Sequence, residues 1–366
     1  MVNIENRSII DNDYQYHKWN CVKGEINMKK LSNKWLIGLL IMLIAMIITG
    51  CGSDSNNTST EVNEASVEGG GSASNDKKTE QNGLDEVRTV EHAMGSTKIT
   101  GTPTKVVTLF QGATDAALQL GVKPVGAVES WIEQPWYHYI RDKMDGVTNL
   151  GSENQPNLEE ITALNPDVII ASKTRHEKIY DQLSAIAPTV MTDEVHLWKE
   201  TLSITAAALN KQDKEQEFLK EWDKKVAEFK SEMGDQLNNI EVSVIDFRAD
   251  HVRIVHTGFA ALVLDELGIP RPDNQKSESW GVKLTTKENI PQMDADIIFD
   301  QTSLDRDDGR LDIRASWMEH PLWQNLRAVQ NNKVFEVDTA VWNNGSGPMA
   351  ANLMVEDLFD YFQNLN

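Results

Sequence analysis

The sequence contains little cysteine and far more acid than base, and both shortages exclude classes of site. Only two of its 366 residues are cysteine, Cys21 and Cys51, so the chain after Cys51 has no disulfide, no cysteine-based zinc site and no iron–sulfur cluster. Lys and Arg total 35 against 56 Asp and Glu, which gives a formal charge of −21. We expect no binding to nucleic acid, which requires basic patches, and an anionic ligand would need a local group of arginines.

The short motifs of common catalytic and metal sites are also missing. The sequence has no G-x-S-x-G, P-loop or H-E-x-x-H, and the GSGP that begins at Gly345 is too short for a phosphate loop. The eight histidines are scattered, which argues against a direct metal-ion binding protein. We therefore expect no enzyme, no catalytic residue, no intrinsic cofactor and no metal ligand. A surface esterase and a purely structural adhesin stay open as alternatives of a different class.

The first 88 residues are typical of a targeting segment and a tether. From residue 28, lysines precede an apolar run over 36–48 that is too short to span a ~30 Å hydrocarbon core and suits a secretory signal. The run ends in ITGC, which resembles a bacterial lipobox and implies cleavage before Cys51 and lipidation of its thiol; an uncleaved membrane anchor is the alternative. Residues 51–88, rich in Ser, Asn, Gly and Glu, predict a flexible tether. Residues 1–27 are interpreted as an untranslated leader.

Strand patterns alternate with helix patterns along the rest of the chain, which indicates βαβ units and parallel sheets. Strands are predicted at 105–110, 122–128, 167–171, 242–247 and 333–337, and helices at 114–120, 157–164, 259–267 and 349–365. The predicted class is α/β, with two Rossmann-like lobes over 89–196 and 237–366 joined by connecting helices over 197–236.

The connecting segment carries one apolar stripe. Phe218, Trp222, Val226 and Phe229 recur at helical spacing, and the opposite face of the predicted helix is charged. A long helix between two lobes is a stiff hinge, and small ligands commonly bind in the cleft between two lobes. We expect the ligand there.

Two segments of the chain repeat one pattern. LEEITALNPDVII begins at Leu158 and KENIPQMDADIIF begins at Lys287, with a Glu, an Ile two residues later, and an Asp before an apolar run. The apolar positions predict core residues of equivalent pieces in the two lobes, and the aspartates predict the starts of strands.

Four segments together resemble the ferric-siderophore-binding lipoproteins of bacterial ABC importers. They are PNLEEITALNPDVIIASKTRHEKIYDQLSAIAPTV (156–190), KVVTLFQGATDAALQLGVKPVG (105–126), DFRADHVRI (246–254) and HPLWQNLRAVQNNKVFEVD (320–338). The resemblance covers the chain from about residue 90 to its end. It implies the helical-hinge periplasmic-binding-protein fold. It also implies a monomeric, lipid-anchored protein on the outer face of a Gram-positive cell membrane. Such a protein captures a ferric siderophore of hydroxamate or citrate–hydroxamate type and delivers it to an ABC permease. Haem or cobalamin binding by the same fold stays open.

Ligand contacts are expected from arginine, histidine and aromatic side chains. Arginine forks pair with carboxylate and hydroxamate oxygens, and aromatic faces cover apolar arms. Arg175 takes a pocket role by the resemblance, with His176 beside it. Candidates after the first strand of the second lobe are Arg248, Arg253 and His256; the aromatic candidates are Trp131, Trp136, Tyr137, Trp317 and Trp342. Trp222 and Trp323 are assigned to packing.

Two further features follow from the resemblance. Glu159 and Glu288 match the positions at which a glutamate on each lobe pairs with permease arginines, so we expect them to dock the permease. Glu153 stands where related siderophore binders often have an arginine three residues before the Pro of PNLE. The usual cationic clamp is therefore missing there; either this subclass binds its ligand differently, or Arg175 and Arg253 take over that role.

Overall fold

The computed structural model describes residues 86–364. The predicted leader, the signal peptide, Cys51 and the tether up to residue 85 lie outside this range. No helix between residues 86 and 364 has both the length and the apolar character needed to cross a membrane.

The first half of the described chain forms a five-stranded parallel sheet in the order β5-β4-β3-β6-β7. A hairpin of β1 and β2 precedes it and packs against β7. The strands are β1 (Val87–His92), β2 (Gly95–Thr100), β3 (Val106–Thr108), β4 (Gly126–Ala127), β5 (Thr148–Asn149), β6 (Val168–Ser172) and β7 (Thr189–Thr192). Since the five strands are parallel, all their carboxyl ends lie at one edge.

The second half forms a mixed five-stranded sheet in the order β10-β9-β8-β11-β12. Strands β8, β11 and β12 are parallel, whereas β9 runs antiparallel to β8 and β10 antiparallel to β9. The strands are β8 (Val242–Phe247), β9 (Val252–Val255), β10 (Gly281–Leu284), β11 (Ile297–Asp300) and β12 (Val334–Glu336). The reversal at β9 carries the end of that strand away from the carboxyl edge of β8 and β11.

Twelve α-helices surround the sheets within residues 86–364. They are α1 (Gln111–Gln119), α2 (His138–Arg141), α3 (Leu158–Leu164), α4 (Lys173–His176), α5 (Tyr180–Ile186), α6 (Trp198–Leu209), α7 (Gln212–Met233), α8 (Phe259–Leu267), α9 (Arg310–Met318), α10 (Pro321–Gln324), α11 (Arg327–Gln330) and α12 (Pro348–Gln363). The prediction of two α/β halves is confirmed. The residue boundaries of the lobes stay a prediction.

Two helices, α6 and α7, connect the halves, and the longer of them is α7. The predicted stripe on α7 is confirmed: Phe218, Trp222 and Phe229 are buried, and Val226 packs against the same core. Trp222 packs edge-on against Trp198 at a ring distance of 4.8 Å, and its indole N–H donates to Glu266 of α8 at 2.7 Å. The connecting helices are therefore fixed to the second half by a continuous apolar core.

The repeated segments do the same structural work in both halves. The carboxylate of Asp167 accepts the backbone N–H of Lys105 at 2.8 Å, and that of Asp296 accepts the backbone N–H of Glu241 at 2.8 Å. In each half an aspartate just before an interior strand thus connects that strand to the start of the strand beside it: β6 to β3 in the first half, and β11 to β8 in the second. Ile161 and Ile290 are fully buried, as predicted.

The repeated segments differ in their helices. The first contains α3, whose N-cap Asn157 accepts from the backbone N–H groups of Glu159 and Glu160 at 3.1 and 3.2 Å. The second forms a 3₁₀-helix, Lys287–Met293, with Pro291 inside it. Proline lacks the N–H that an α-helical turn requires, so the tighter turn replaces the α-helix.

Candidate ligand-binding site

Polar side chains from both halves meet at the carboxyl ends of the parallel strands, where open α/β sheets bind ligands. Four residues of the first half follow four different strands: Gln111 after β3, Trp131 after β4, Glu153 after β5 and Arg175 after β6. In the second half the corresponding positions are Arg248 after β8 and Arg306 and Arg310 after β11. The guanidinium of Arg306 donates to the carbonyl oxygen of Trp131 at 3.2 Å, which joins the two edges.

Glu153 lies at the centre of the first half's contribution. One carboxylate oxygen accepts from Nε of Arg175 at 2.8 Å, and the other accepts from the indole N–H of Trp131 at 3.3 Å and the backbone N–H of Gln111 at 3.4 Å. The side chains of Glu153 and Arg175 are 4% and 8% exposed. The guanidinium also lies over the Trp131 ring, 5.8 Å from its centroid. We call Glu153, Arg175, Trp131 and Gln111 the Glu153 cluster.

His176 lies behind this cluster and is fully buried, which corrects the expectation that it contacts ligand. Its Nδ1 accepts from the backbone N–H of Ser172 at 3.3 Å, so Nε2 carries the proton and donates to the backbone carbonyl of Glu153 at 2.8 Å. Burial lowers the pKa of the His176 imidazole, which favours this neutral form. His176 therefore holds the segment that carries Glu153 against the end of β6.

The second half contributes a group of three arginines. Arg248 pairs with Asp246 at 2.5 Å, and Arg310 pairs with Asp308 at 2.6 Å. Burial lowers the pKa of the Arg306 guanidinium, and the neighbouring charges of Arg310 and Arg248 lower it further. Since Arg248 and Arg310 are each paired with an aspartate, the group offers an anionic ligand several guanidinium donors rather than a large net charge.

Most aromatic side chains of the loop after β4 pack in the protein core. Trp131 is half-buried at the site, whereas Trp136 and Tyr137 belong to a small apolar core with Ile140. The Tyr137 hydroxyl accepts from the backbone N–H of Trp131 at 3.3 Å. The expectation of three ligand-facing aromatics is thus reduced to Trp131, and the other two rings support its loop.

Trp317 and Trp342 are core residues of the second half, which corrects their assignment to ligand. Trp317 is 4% exposed and packs in the cluster that contains Phe247 and Trp323. Trp342 is fully buried against Phe299 at a ring distance of 4.7 Å. The predicted packing roles of Trp222 and Trp323 are confirmed by their burial. Periodicity could not separate these two classes, because a tryptophan in a segment that follows a strand can face either the core or the ligand site.

Because β9 runs antiparallel to β8, two predicted ligand residues, Arg253 and His256, do not lie at the carboxyl end of a parallel strand. His256 follows the end of β9, and Nδ1 of its buried ring lies 2.9 Å from the Ser277 hydroxyl oxygen. That end of the strand points away from the carboxyl edge, so the structure does not bring His256 to the Glu153 cluster. Arg253 lies within β9, in register with Asp246 and Lys283.

Arg306 and Arg310 were not among the ligand residues predicted from the sequence. Both follow β11, and the rule applied to Arg175 and Arg248, that ligand residues follow the ends of parallel strands, covers them equally. The signal was the DRDDGR run from Asp305, which reads as a solvated surface loop when it is judged by composition alone.

One further cluster joins the halves beside the site. The imidazole of His138 lies between two carboxylates, with Nδ1 3.2 Å from Glu133 and Nε2 3.4 Å from Asp338. Ligand atoms of all three lie within 4.8 Å of one another, so the group could hold a metal ion, against the expectation of no metal ligand. The backbone N–H of His138 also donates to Glu133 at 2.6 Å.

A family model described as periplasmic binding protein matches residues 106–341, which include both sheets and the connecting helices. The chain belongs to this family. Every residue of the Glu153 cluster and all three arginines of the second half lie inside the matched range.

Three relatives of this periplasmic binding protein are similar over most of its length. It is 39% identical over 335 residues to a Bacillus subtilis protein named "Probable siderophore-binding lipoprotein YfiY", covering 88% of this chain and 97% of that one. It is 39% identical over 266 residues to the achromobactin-binding periplasmic protein of Dickeya dadantii, covering 70% and 85%. The crystal structure of Staphylococcus aureus SirA complexed with staphyloferrin B has a TM-score of 0.71 and 42% identity, covering 75% and 98%.

The two glutamates of the repeated segments are exposed. Glu159 lies in the first turn of α3, and Glu288 lies at the start of the 3₁₀-helix in the second half. The backbone N–H of Asn157, the N-cap of α3, donates to the carbonyl of Leu150 just after β5, so Glu159 lies near the carboxyl end of β5. Glu288 lies shortly after the end of β10.

Proposed function

We propose that this periplasmic binding protein captures a ferric siderophore between the two halves of the chain and delivers it to an ABC permease. The observation that carries this proposal is the convergence of Arg248, Arg306 and Arg310 with Arg175 at the facing strand ends. In a chain of charge −21, such a group is explained by an anionic ligand. The similar proteins whose names specify a siderophore support the same conclusion.

The ligand is a compact, oxygen-rich anion rather than a large apolar molecule. Of the aromatic candidates, Trp131 alone is half-buried at the site, so guanidinium contacts outnumber aromatic ones. Arginine forks bind carboxylate oxygens through paired hydrogen bonds, which favours the citrate side of the predicted hydroxamate or citrate–hydroxamate class. The protein itself need not coordinate the iron.

Lipidation of Cys51 would place the protein on the outer face of the cell membrane, with residues 51–88 as its tether. Glu159 and Glu288, both exposed, would dock the permease. The protein would act as a monomer, because a single chain supplies both halves of the site.

The proposal is tested by a tryptophan-fluorescence titration of the purified protein with a panel of ferric chelates and haemin. The panel contains ferric citrate, ferric staphyloferrin B, ferric achromobactin and a ferric hydroxamate, each beside its iron-free form. We expect saturable quenching by at least one ferric chelate and weaker binding of the iron-free form. If no chelate binds, the proposal is wrong; a Soret shift with haemin and no chelate binding would assign the site to haem.

A further inference from the structure

A buried carboxylate at the centre of an anion-binding site requires an explanation. The side chain of Glu153 is 4% exposed and lies among groups that would meet the ligand. An unpaired carboxylate there would repel an anionic chelate and would itself be costly to bury.

The contacts of Glu153 supply the explanation. Both carboxylate oxygens accept hydrogen bonds, one from Nε of Arg175 and the other from the Trp131 indole and the backbone of Gln111. The negative charge is therefore paired with Arg175 within the protein. Loss of Arg175 would leave the Glu153 charge buried without this cation, which is more costly than loss of an exposed ion pair.

These contacts also determine geometry. A bond to Nε restricts rotation of the Arg175 guanidinium, and a bond to the indole N–H restricts the orientation of the Trp131 ring. The two groups then contact each other, guanidinium over ring at 5.8 Å. Because the Trp131 carbonyl accepts from Arg306, the same carboxylate stabilises the loop that the second half contacts.

The backbone of Glu153 is held as firmly as its side chain. The carbonyl of Glu153 accepts from the buried His176 ring, which in turn accepts from Ser172 at the end of β6. The backbone that carries this carboxylate is thus anchored to the end of β6. Such anchoring is expected of a residue that orients other side chains.

From this geometry we propose that Glu153 is a positioning residue, which holds Arg175 and Trp131 in the arrangement that binds the chelate and does not itself contact ligand. This inference rests on the proposed function. Related siderophore binders often have a ligand-clamping arginine at this position; in this protein Glu153 would instead orient neighbouring side chains.

The test is a double-mutant cycle on ligand affinity with Glu153→Gln, Arg175→Gln and the double variant. Glutamine keeps the size of the side chain but replaces one of the two acceptor oxygens by an NH₂ group. With its oxygen at Arg175, the NH₂ group would face the Trp131 indole N–H, donor against donor. With ferric citrate, or whichever ferric chelate binds the wild-type protein, we expect each single variant to lose at least roughly tenfold in affinity. The double variant should be no more than about twofold weaker than the weaker single variant.

Glu129→Gln is the matched control. Glu129 lies in the same loop as Trp131, and its carboxylate accepts from Gln134 and Asn149 at 3.2 Å each. This variant should bind the chelate as the wild-type protein does. Wild-type affinity for Glu153→Gln, a gain in its affinity, or losses that add in the double variant would each overturn the proposal.

A measurement without ligand separates this proposal from the proposed function. The emission of Trp131, obtained as the difference between each protein and its Trp131→Phe variant, should shift in Glu153→Gln and not in Glu129→Gln. If the wild-type protein binds no ferric chelate, the proposed function fails while this shift still tests the positioning role. An unchanged Trp131 emission in Glu153→Gln would overturn that role.

Discussion

The carboxylate of Asp115, on α1 of the first half, accepts the backbone N–H of Met349 in α12 of the second half at 2.7 Å. The other oxygen of Asp115 accepts the backbone N–H of Ala350 and the hydroxyl of Tyr139, each at 3.1 Å. Asp115 thus satisfies N–H groups of the first turn of a helix in the other half, groups that have no partner within their own helix. A Cβ at Gly347 would lie 2.3 Å from the Asp115 carboxyl carbon, so glycine permits this close approach.

This contact predicts a pH dependence of folding stability. Burial raises the pKa of Asp115 to about 7 from its usual 3.8, although hydrogen bonds from Met349, Ala350 and Tyr139 oppose the rise. The folded chain therefore holds this proton more tightly than the unfolded chain. The contribution of Asp115 to stability is complete below about pH 4 and is lost as the pH rises to about 7, and it amounts to something on the order of 4 kcal/mol.

Asp115→Asn removes this titration. The unfolding free energy of the wild-type protein, minus that of the variant, should therefore fall as the pH rises from about 4 to 7. Urea unfolding at a series of pH values measures this difference. Asp167→Asn is the opposite case. Partial burial tends to raise the pKa of Asp167, but hydrogen bonds from Lys105 and Thr104 produce a net lowering, so its contribution is lost as the pH falls. Equal pH profiles for the two variants would contradict the assignment.

Trp342→Phe should lower stability and leave ligand affinity unchanged. The ring is fully buried, and its indole N–H donates to Asp357 at 2.8 Å. Phenylalanine leaves that carboxylate without its donor and leaves space beside Phe299, which together cost about 1–3 kcal/mol. Thermal unfolding and the ferric-chelate titration measure the two effects separately. A loss of affinity without a loss of stability would return Trp342 to the ligand site.

Arg306→Gln should weaken ferric-chelate binding by at least roughly tenfold, since it removes both a cation of the site and the contact with the Trp131 carbonyl. The loss should be smaller at high salt, where the field of the arginine group is screened. Arg327→Gln is the control. Arg327 pairs with Asp294 and Asp296 before the amino end of β11, away from the site, so its loss should reduce stability and spare affinity. Equal affinity losses in the two variants would refute a direct role for Arg306.

Combined replacement of Glu159 and Glu288 by alanine should abolish siderophore-dependent iron uptake and leave chelate affinity intact. Both side chains are exposed, whereas Glu153 and Arg175 are buried, so the change should leave the ligand site intact. Uptake of radioactive iron by cells that carry each variant in place of the wild-type chain is the measurement. Glu160→Ala, an exposed neighbour on α3, is the control. Lost affinity, or normal uptake, would exclude the docking role.

The sequence alone determined the α/β class, the two repeated units and most of the helices and strands. The reason is that apolar periodicity and glycine stops act locally: strand 242–247 and helix 259–267 have the predicted bounds. The strand predicted at 122–128 is only two residues long, because its pairing with β3 and β5 ends after Ala127. The repeated pattern predicted equivalent pieces in the two lobes and did not show that the second, which contains Pro291, would form a 3₁₀-helix.

The direction of each side chain was decided by tertiary structure. Arg175 meets Glu153 and Trp131 only because the ends of several strands lie at one edge, and Arg306 reaches the Trp131 carbonyl only because the second half closes against that edge. Trp342 and Trp131 occupy similar loops in the sequence, yet one is core and the other belongs to the site. Such choices depend on contacts between residues far apart in the chain, and a pattern read along the chain carries no information about which neighbours those will be.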